Sequence, residues 1–227
     1  MLTRSIYQKT GYNVILNLDP TKPTNAPLRG REDFKMIKIS KMSGKLEGIG
    51  AINTDTTTNE FCVRQKSTDT ICGKCYSHRM LSTYRKSCVP AFAHNSEVLS
   101  KTIIPEQFLP RINQAYFRFN GHGELINSTH FNNIVGIAQK NPHCTFTLWT
   151  KRASLVRGHW IPDNLILIFS NPRIDRVIDV PRGFHKVFNN VSKDSGIAQN
   201  CTGKKCLDCL LCYRKDSGAN VIVEAVK

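Results

Sequence analysis

The chain has 227 residues, with 32 lysines and arginines against 17 aspartates and glutamates and a formal net charge of +15. This length suits one large α/β domain with a substantial core, and the longest apolar run, Leu165–Phe169, is too short to cross a bilayer, which excludes membrane insertion. Nine cysteines would suit a secreted disulfide framework, but their odd number, their clustering and the lack of an apolar segment at Met1–Ile6 predict a reducing, cytoplasmic setting.

The whole chain, 1–227, reads as a single α/β domain in three portions: strand-rich 1–60, a βα core over 61–200, and a cysteine loop over 201–213. Tyr12–Leu18 is the first strand, and the proline-rich Asp19–Pro27 is a connection in which a helix cannot persist. Met36–Ser40 and Gly48–Asn53 are further short strands. Helices are predicted over Tyr76–Lys86 and Ala91–Leu99, with Pro90 as a break or first-turn residue. Gln114–Asn120 is a strand, Gly121–Gly123 a tight turn, and Ser128 the N-cap of a helix reaching about Lys140. Strands follow at Cys144–Trp149, Leu165–Ser170, Val177–Val180 and His185–Asn189, with a short helical stretch at Lys151–Arg157. Nearly continuous apolar strands alternating with helices predict a parallel α/β sheet or partial (β/α) barrel.

Ligands of such sheets bind at the carboxyl ends of the strands. Arg118, Asn120, His122 and Glu124 gather after one strand, Lys151 and Arg152 after the next, and Ser170, Asn171 and Arg173 after the third. Within this set Arg118, His122 and Lys151 are the candidate catalytic groups, His122 because an imidazole between two glycines at a strand end suits general acid or base work. Asn120, Glu124, Arg152, Ser170, Asn171 and Arg173 are the candidate substrate contacts. The other histidines are scattered without metal-binding spacing. No phosphate-binding loop, nucleophile elbow or two-histidine zinc motif occurs, which disfavours a nucleoside triphosphatase, a serine hydrolase or a zinc protease.

Closely spaced thiolates repel one another unless a cation or cluster neutralises them. Cys201, Cys206, Cys209 and Cys212 fall within twelve residues, the last three at x2, x2 spacing. That spacing lets one tight loop aim three thiolates at a cubane, as in the bacterial ferredoxin run, with Cys201 as a fourth ligand. A 4Fe-4S cluster is therefore the expected cofactor, and a structural zinc the alternative. Cys72 and Cys75, with Cys62 ten residues upstream, form a second site or join the C-terminal cysteines in a composite one. Three protein ligands would leave one iron open to a small molecule. Cys88 and Cys144 sit in apolar contexts and read as core. The basic residues come singly or in pairs such as Arg85-Lys86, Lys151-Arg152 and Lys204-Lys205 rather than in a polybasic arm. Nucleic acid is a possible partner on charge alone, and basic pairs also balance an anionic cluster.

Cys72 to Tyr76, ending Cys-x2-Cys-Tyr, a central α/β portion, and Cys206 to Tyr213, ending Cys-x2-Cys-x2-Cys-Tyr, resemble a family of bacteriophage proteins named after a numbered mycobacteriophage gene product. Its members look like relatives of the radical S-adenosylmethionine enzymes. The resemblance covers roughly residues 55 to 227 and implies a partial TIM-barrel fold, an iron-sulfur cluster and a phage origin. It carries ligand roles to Cys72 and Cys75. It does not carry adenosylmethionine binding, because the nine residues between Cys62 and Cys72 depart from the x3, x2 spacing of those enzymes. The expected protein is a cytoplasmic iron-sulfur protein with redox or small-molecule sulfur chemistry at a cluster in a barrel pocket, taking a small-molecule ligand or an electron donor. The alternatives are a zinc-stabilised module that binds nucleic acid or a host protein, and a radical S-adenosylmethionine enzyme.

Overall fold

The computed structural model describes residues 36–226. The strand expected at Tyr12–Leu18 and the connection at Asp19–Pro27 lie outside them. The described chain builds a seven-stranded sheet in chain order: β1 (Ile39–Lys41), β2 (Gly50–Ile52), β3 (Tyr116–Phe119), β4 (Thr145–Thr150), β5 (Leu165–Ile174), β6 (Lys186–Val191) and β7 (Val221–Ala225). β1 runs antiparallel to β2, and every later pairing is parallel.

The parallel α/β expectation is met, but the barrel is not closed: among the described residues β1 and β7 are the edges of the sheet. An ion pair from Lys45, in the connection between β1 and β2, to Glu224 of β7 joins the two edge regions.

Alternation along the strands sends side chains to two different cores. Phe117 and Phe119 of β3, Phe146 and Leu148 of β4, and Leu165 and Leu167 of β5 pack on one face. They meet Leu99 of α3 (Val89–Lys101) and Phe131, Ile134 and Ile137 of α4 (Ser128–Lys140). On the other face Trp149, Ile166 and Ile168 meet no long helix among the described residues. They pack instead against Tyr213, Leu210, Cys206 and Cys212 of the C-terminal loop.

Local chemistry sets the helix ends. Pro90 lies in the first turn of α3, where its missing N–H costs nothing. The cap of α4 is Asn127 rather than Ser128: its side chain accepts from His130 N at 2.9 Å. The helix expected to reach Lys86 stops earlier, as α2 (Tyr76–Ser82), and the stretch at Lys151–Arg157 contains only a 3-10 turn at Ala153–Leu155. A short helix, α1 (Glu60–Gln65), is capped by Asn59. Val177–Val180 is not a strand, because Asn189 accepts from Ile178 N and donates to Ile178 O, holding that segment as a loop beside β6.

Buried asparagines tie the connections to the frame. Asn133 accepts from Ile104 N and donates to Leu99 O and Thr102 O, each at 2.8 Å. Asn141 does the same for Ile112 N, Pro110 O and Ile137 O.

Candidate functional site

The loop after β2 is laced to the loop after β3. Thr54 N donates to His122 O at 3.1 Å, His122 N to Asn53 Oδ1 at 2.8 Å, and Asn59 Nδ2 to Glu124 O at 3.0 Å. Gly123, at φ +97°, is required here, since a Cβ would stand 2.0 Å from Thr54 Oγ1. These bonds seat α1, which carries Cys62, against the carboxyl end of the sheet.

The Cys72 to Cys75 loop is pinned from two sides. Ile71 N donates to Pro172 O of β5 at 2.9 Å, and the Tyr76 hydroxyl donates to Gly121 O at 2.5 Å. Cys75 then begins α2 as its N-cap residue. The outcome is that Cys62, Cys72 and Cys75 line one cavity of about 30 Å³, together with Thr56, Lys66 and His78. The nine-residue gap does not separate Cys62 from the pair. The Thr56 hydroxyl is buried there without a hydrogen-bond partner, and Lys66 Nζ lies 3.0 Å from His78 Nε2.

Electrostatics separate these thiols. Burial, with the charges of Glu124, Cys75 and Cys72, pushes the Cys62 thiol up to about 12, and Lys151 opposes the shift. Burial also raises Cys72, with Lys151 again opposing. A soft cation or cluster would supply the missing positive charge and release the protons.

The strand-end residues do not line this cavity and have distinct roles. Glu124 is 4% exposed, and its carboxylate is occupied: Oε1 accepts from Thr150 Oγ1 at 2.5 Å and Leu125 N at 2.8 Å, and Oε2 from Lys151 N at 2.9 Å. It joins the ends of β3 and β4. Lys151 Nζ donates to Ser170 Oγ at 3.0 Å. Arg152 donates to Leu125 O and Ile126 O and places its guanidinium 5.4 Å from the Phe61 ring centre. Asn171 donates to Arg176 O and Asn189 Oδ1 and accepts from Arg173 N, while Arg173 itself is exposed.

His122 is buried between Tyr76 and Phe92, with Nδ1 2.8 Å from Ser77 Oγ. Burial, helped by the charges of Arg118 and Arg85, lowers its pKa to about 4, so it is neutral at pH 7. Asn120, at φ +56°, is 5% exposed, and both polar atoms of its side chain are buried without partners.

The remaining four candidate ligands lie elsewhere, on the sheet face without long helices. Cys206 and Cys209 bound α5 (Cys206–Cys209), a single turn, and Cys206 and Cys212 pack with Trp149 and Tyr213. Cys201 N donates to Val223 O of β7 at 3.0 Å. Burial pushes the Cys212 thiol up to about 12, with Cys201, Cys206 and Cys209 adding to the shift and Arg118 opposing it. The nine thiols therefore make two sets and two outliers: Cys144, fully buried in the helix-side core, and Cys88, half-buried before α3.

Among the described residues no three His, Cys, Asp or Glu side chains converge as the ligands of a single metal ion would. A tetrahedral zinc holds its thiolates about 3.8 Å from one another, given Zn–S bonds near 2.3 Å. A cluster binds each thiolate through a different iron and accepts a wider set. Among the described residues no helix is long and apolar enough to cross a membrane.

An open, mostly parallel sheet with one thiol set at its carboxyl end and another in the loop packed on the face opposite α3 and α4 defines a cysteine-rich α/β protein. The chain belongs to the gene product 88 family of phage proteins, whose pattern matches residues 31–215. The matched span contains all nine cysteines. No curated protein and no solved structure matches the chain.

Proposed function

We propose that this chain is an iron-sulfur protein in which Cys62, Cys72 and Cys75 ligate a 4Fe-4S cluster with one iron left open to a small molecule. The observation that carries this reading is the shared cavity of those three thiols at the carboxyl end of a parallel sheet, where ligands of such sheets bind. The donor set fits the group: three soft thiols, a buried unpartnered Thr56 hydroxyl, and Lys151 close enough for its charge to act on Cys62 and Cys72. When bound, the cluster supplies electron transfer or Lewis acidity at its open iron. The chain's own residues hold the loop: Tyr76 and Ile71 fix its ends, and Glu124 fixes the two strand ends beside it. Asn120, with an unpartnered donor and acceptor, is the residue best placed by chemistry to orient a polar ligand.

A finer reading follows from strand order. Strands β2 to β7 are parallel and sequential, and the thiol set comes in the connection after the first of them. That arrangement is compatible with a partial (β/α) barrel, and S-adenosylmethionine is one small molecule to test at the open iron. A zinc-stabilised nucleic-acid-binding module has only the net charge of +15 in its favour.

The test is anaerobic reconstitution of single variants. Cys62→Ala, Cys72→Ala and Cys75→Ala each lower iron and sulfide by about four per chain, while Cys144→Ala leaves both unchanged. Iron content unaffected by all three substitutions contradicts the proposal. Adding S-adenosylmethionine to the reduced protein then decides the finer reading: it perturbs the cluster's electron paramagnetic resonance if it binds the open iron, and an unaltered spectrum removes it.

A further inference from the structure

We propose that Cys201, Cys206, Cys209 and Cys212 form a second and closed iron-sulfur centre, a tetrathiolate cluster in the C-terminal loop that packs on the sheet face opposite α3 and α4. This does not rest on the three-thiol reading, and it stands or falls by different residues.

The first argument is local. α5 sets Cys206 and Cys209 one turn apart, and the chain then reverses at Leu210, whose N–H donates to Cys206 O at 2.8 Å. Leu210 adopts φ +50°, a left-handed conformation that a branched side chain rarely takes and that persists where its surroundings demand it. The reversal carries Cys212 back to the same hydrophobic cluster as Cys206.

The second argument is charge. Lys186 is fully buried, and its ammonium donates only to neutral groups: Ser217 Oγ and Ala219 O at 2.8 Å and Asn220 Oδ1 at 3.4 Å. The negative groups whose charges act on it are Cys212 and the exposed Asp216. The charge of Arg118 acts on Cys206 and Cys212, and that of Lys45 acts on Cys201 and Cys206 while Lys45 pairs with Glu224. A buried cation is costly without a counter-charge. Four neutral thiols do not provide one; a cluster on four thiolates does.

The third argument is buried donors. Arg118 Nε and the Tyr213 hydroxyl are both buried, Nε with no hydrogen-bond partner and the hydroxyl with Thr147 beside it. Tyr213 is 2% exposed, and it lies beside Trp149 on the face that the loop covers. A buried donor left unpaired is costly. Tyr213 packs in one cluster with Cys206 and Cys212, and the charge of Arg118 acts on both thiols, so cluster sulfurs there would accept from these donors.

The experiment uses the full chain carrying Cys62→Ala, Cys72→Ala and Cys75→Ala together, purified without oxygen, so that the four-thiol set is left intact. The expected result is brown protein with about half the wild-type iron and sulfide, and loss of that remainder on adding Cys209→Ala, a substitution at an exposed position. Colourless protein free of iron, or one zinc per chain in place of iron, overturns the proposal. Full wild-type iron in the triple variant would instead sink the three-thiol reading and leave this one standing. Adding Tyr213→Phe to the triple variant is expected to keep the iron and lower the reduction potential, since a hydrogen bond to a cluster sulfur raises it. An unchanged potential contradicts a cluster under Tyr213.

Discussion

His122 Nδ1 and Ser77 Oγ lie 2.8 Å apart, joining the end of β3 to the first turn of α2 two residues beyond Cys75. The bond makes the imidazole part of the scaffold under the cysteine loop. Replacing His122 with Phe leaves Ser77 buried and unpartnered. The expected loss is about 1–3 kcal/mol of stability, measured by denaturant unfolding, together with reduced iron occupancy at the three-thiol set.

Acid should weaken the fold through buried histidines. His122 is lowered to about 4 and His130 to about 3, both mainly by burial, from an ordinary value of 6.5. The unfolded chain therefore binds more protons below pH 6.5. The stability held by His122 is complete above pH 6.5 and is lost as pH falls towards 4, a change on the order of 3 kcal/mol. Unfolding curves between pH 7 and pH 4 check this, and His122→Gln is expected to flatten the dependence in that window.

Glu124→Gln tests the strand-end clasp. The carboxylate accepts from the Thr150 hydroxyl and from the N–H groups of Leu125 and Lys151, and a glutamine must turn an NH2 towards one of these donors. The expected cost is about 2 kcal/mol, seen as a lower unfolding midpoint with an unchanged slope.

Asn133→Ala removes three hydrogen bonds, two of them buried, and orphans Ile104 N and Leu99 O. A loss of about 2–4 kcal/mol is expected. Iron content should not change, because α4 packs on the face opposite the C-terminal loop and does not line the three-thiol cavity.

Much of the frame was legible in the sequence because it depends on local pattern. The apolar runs at Tyr116–Phe119, Thr145–Thr150 and Leu165–Ile174 are strands, and the periodicity before Lys140 is a helix. β7 was missed, since a five-residue run beyond the cysteine loop gains its meaning only by pairing with β6. Val177–Val180 has strand composition but loses its ladder to Asn189. The same limit applies to the site. Spacing alone identified the thiols, yet it left open whether Cys62 joins Cys72 and Cys75 and whether the two ends of the chain share one site. Those relations are set by the long-range bonds from Ile71 to Pro172, Tyr76 to Gly121 and Asn59 to Glu124. The half-buried Arg118 and the buried Lys186 carried no sequence signal for the thiols with which their charges interact.

The most direct measurement is a visible spectrum with iron, sulfide and zinc analysis on one anaerobic sample of the unaltered chain. Brown protein absorbing near 400 nm, with about eight irons and eight sulfides per chain, is the predicted result for two cubane sites. Colourless protein carrying stoichiometric zinc, or no metal at all, would contradict the account at its centre.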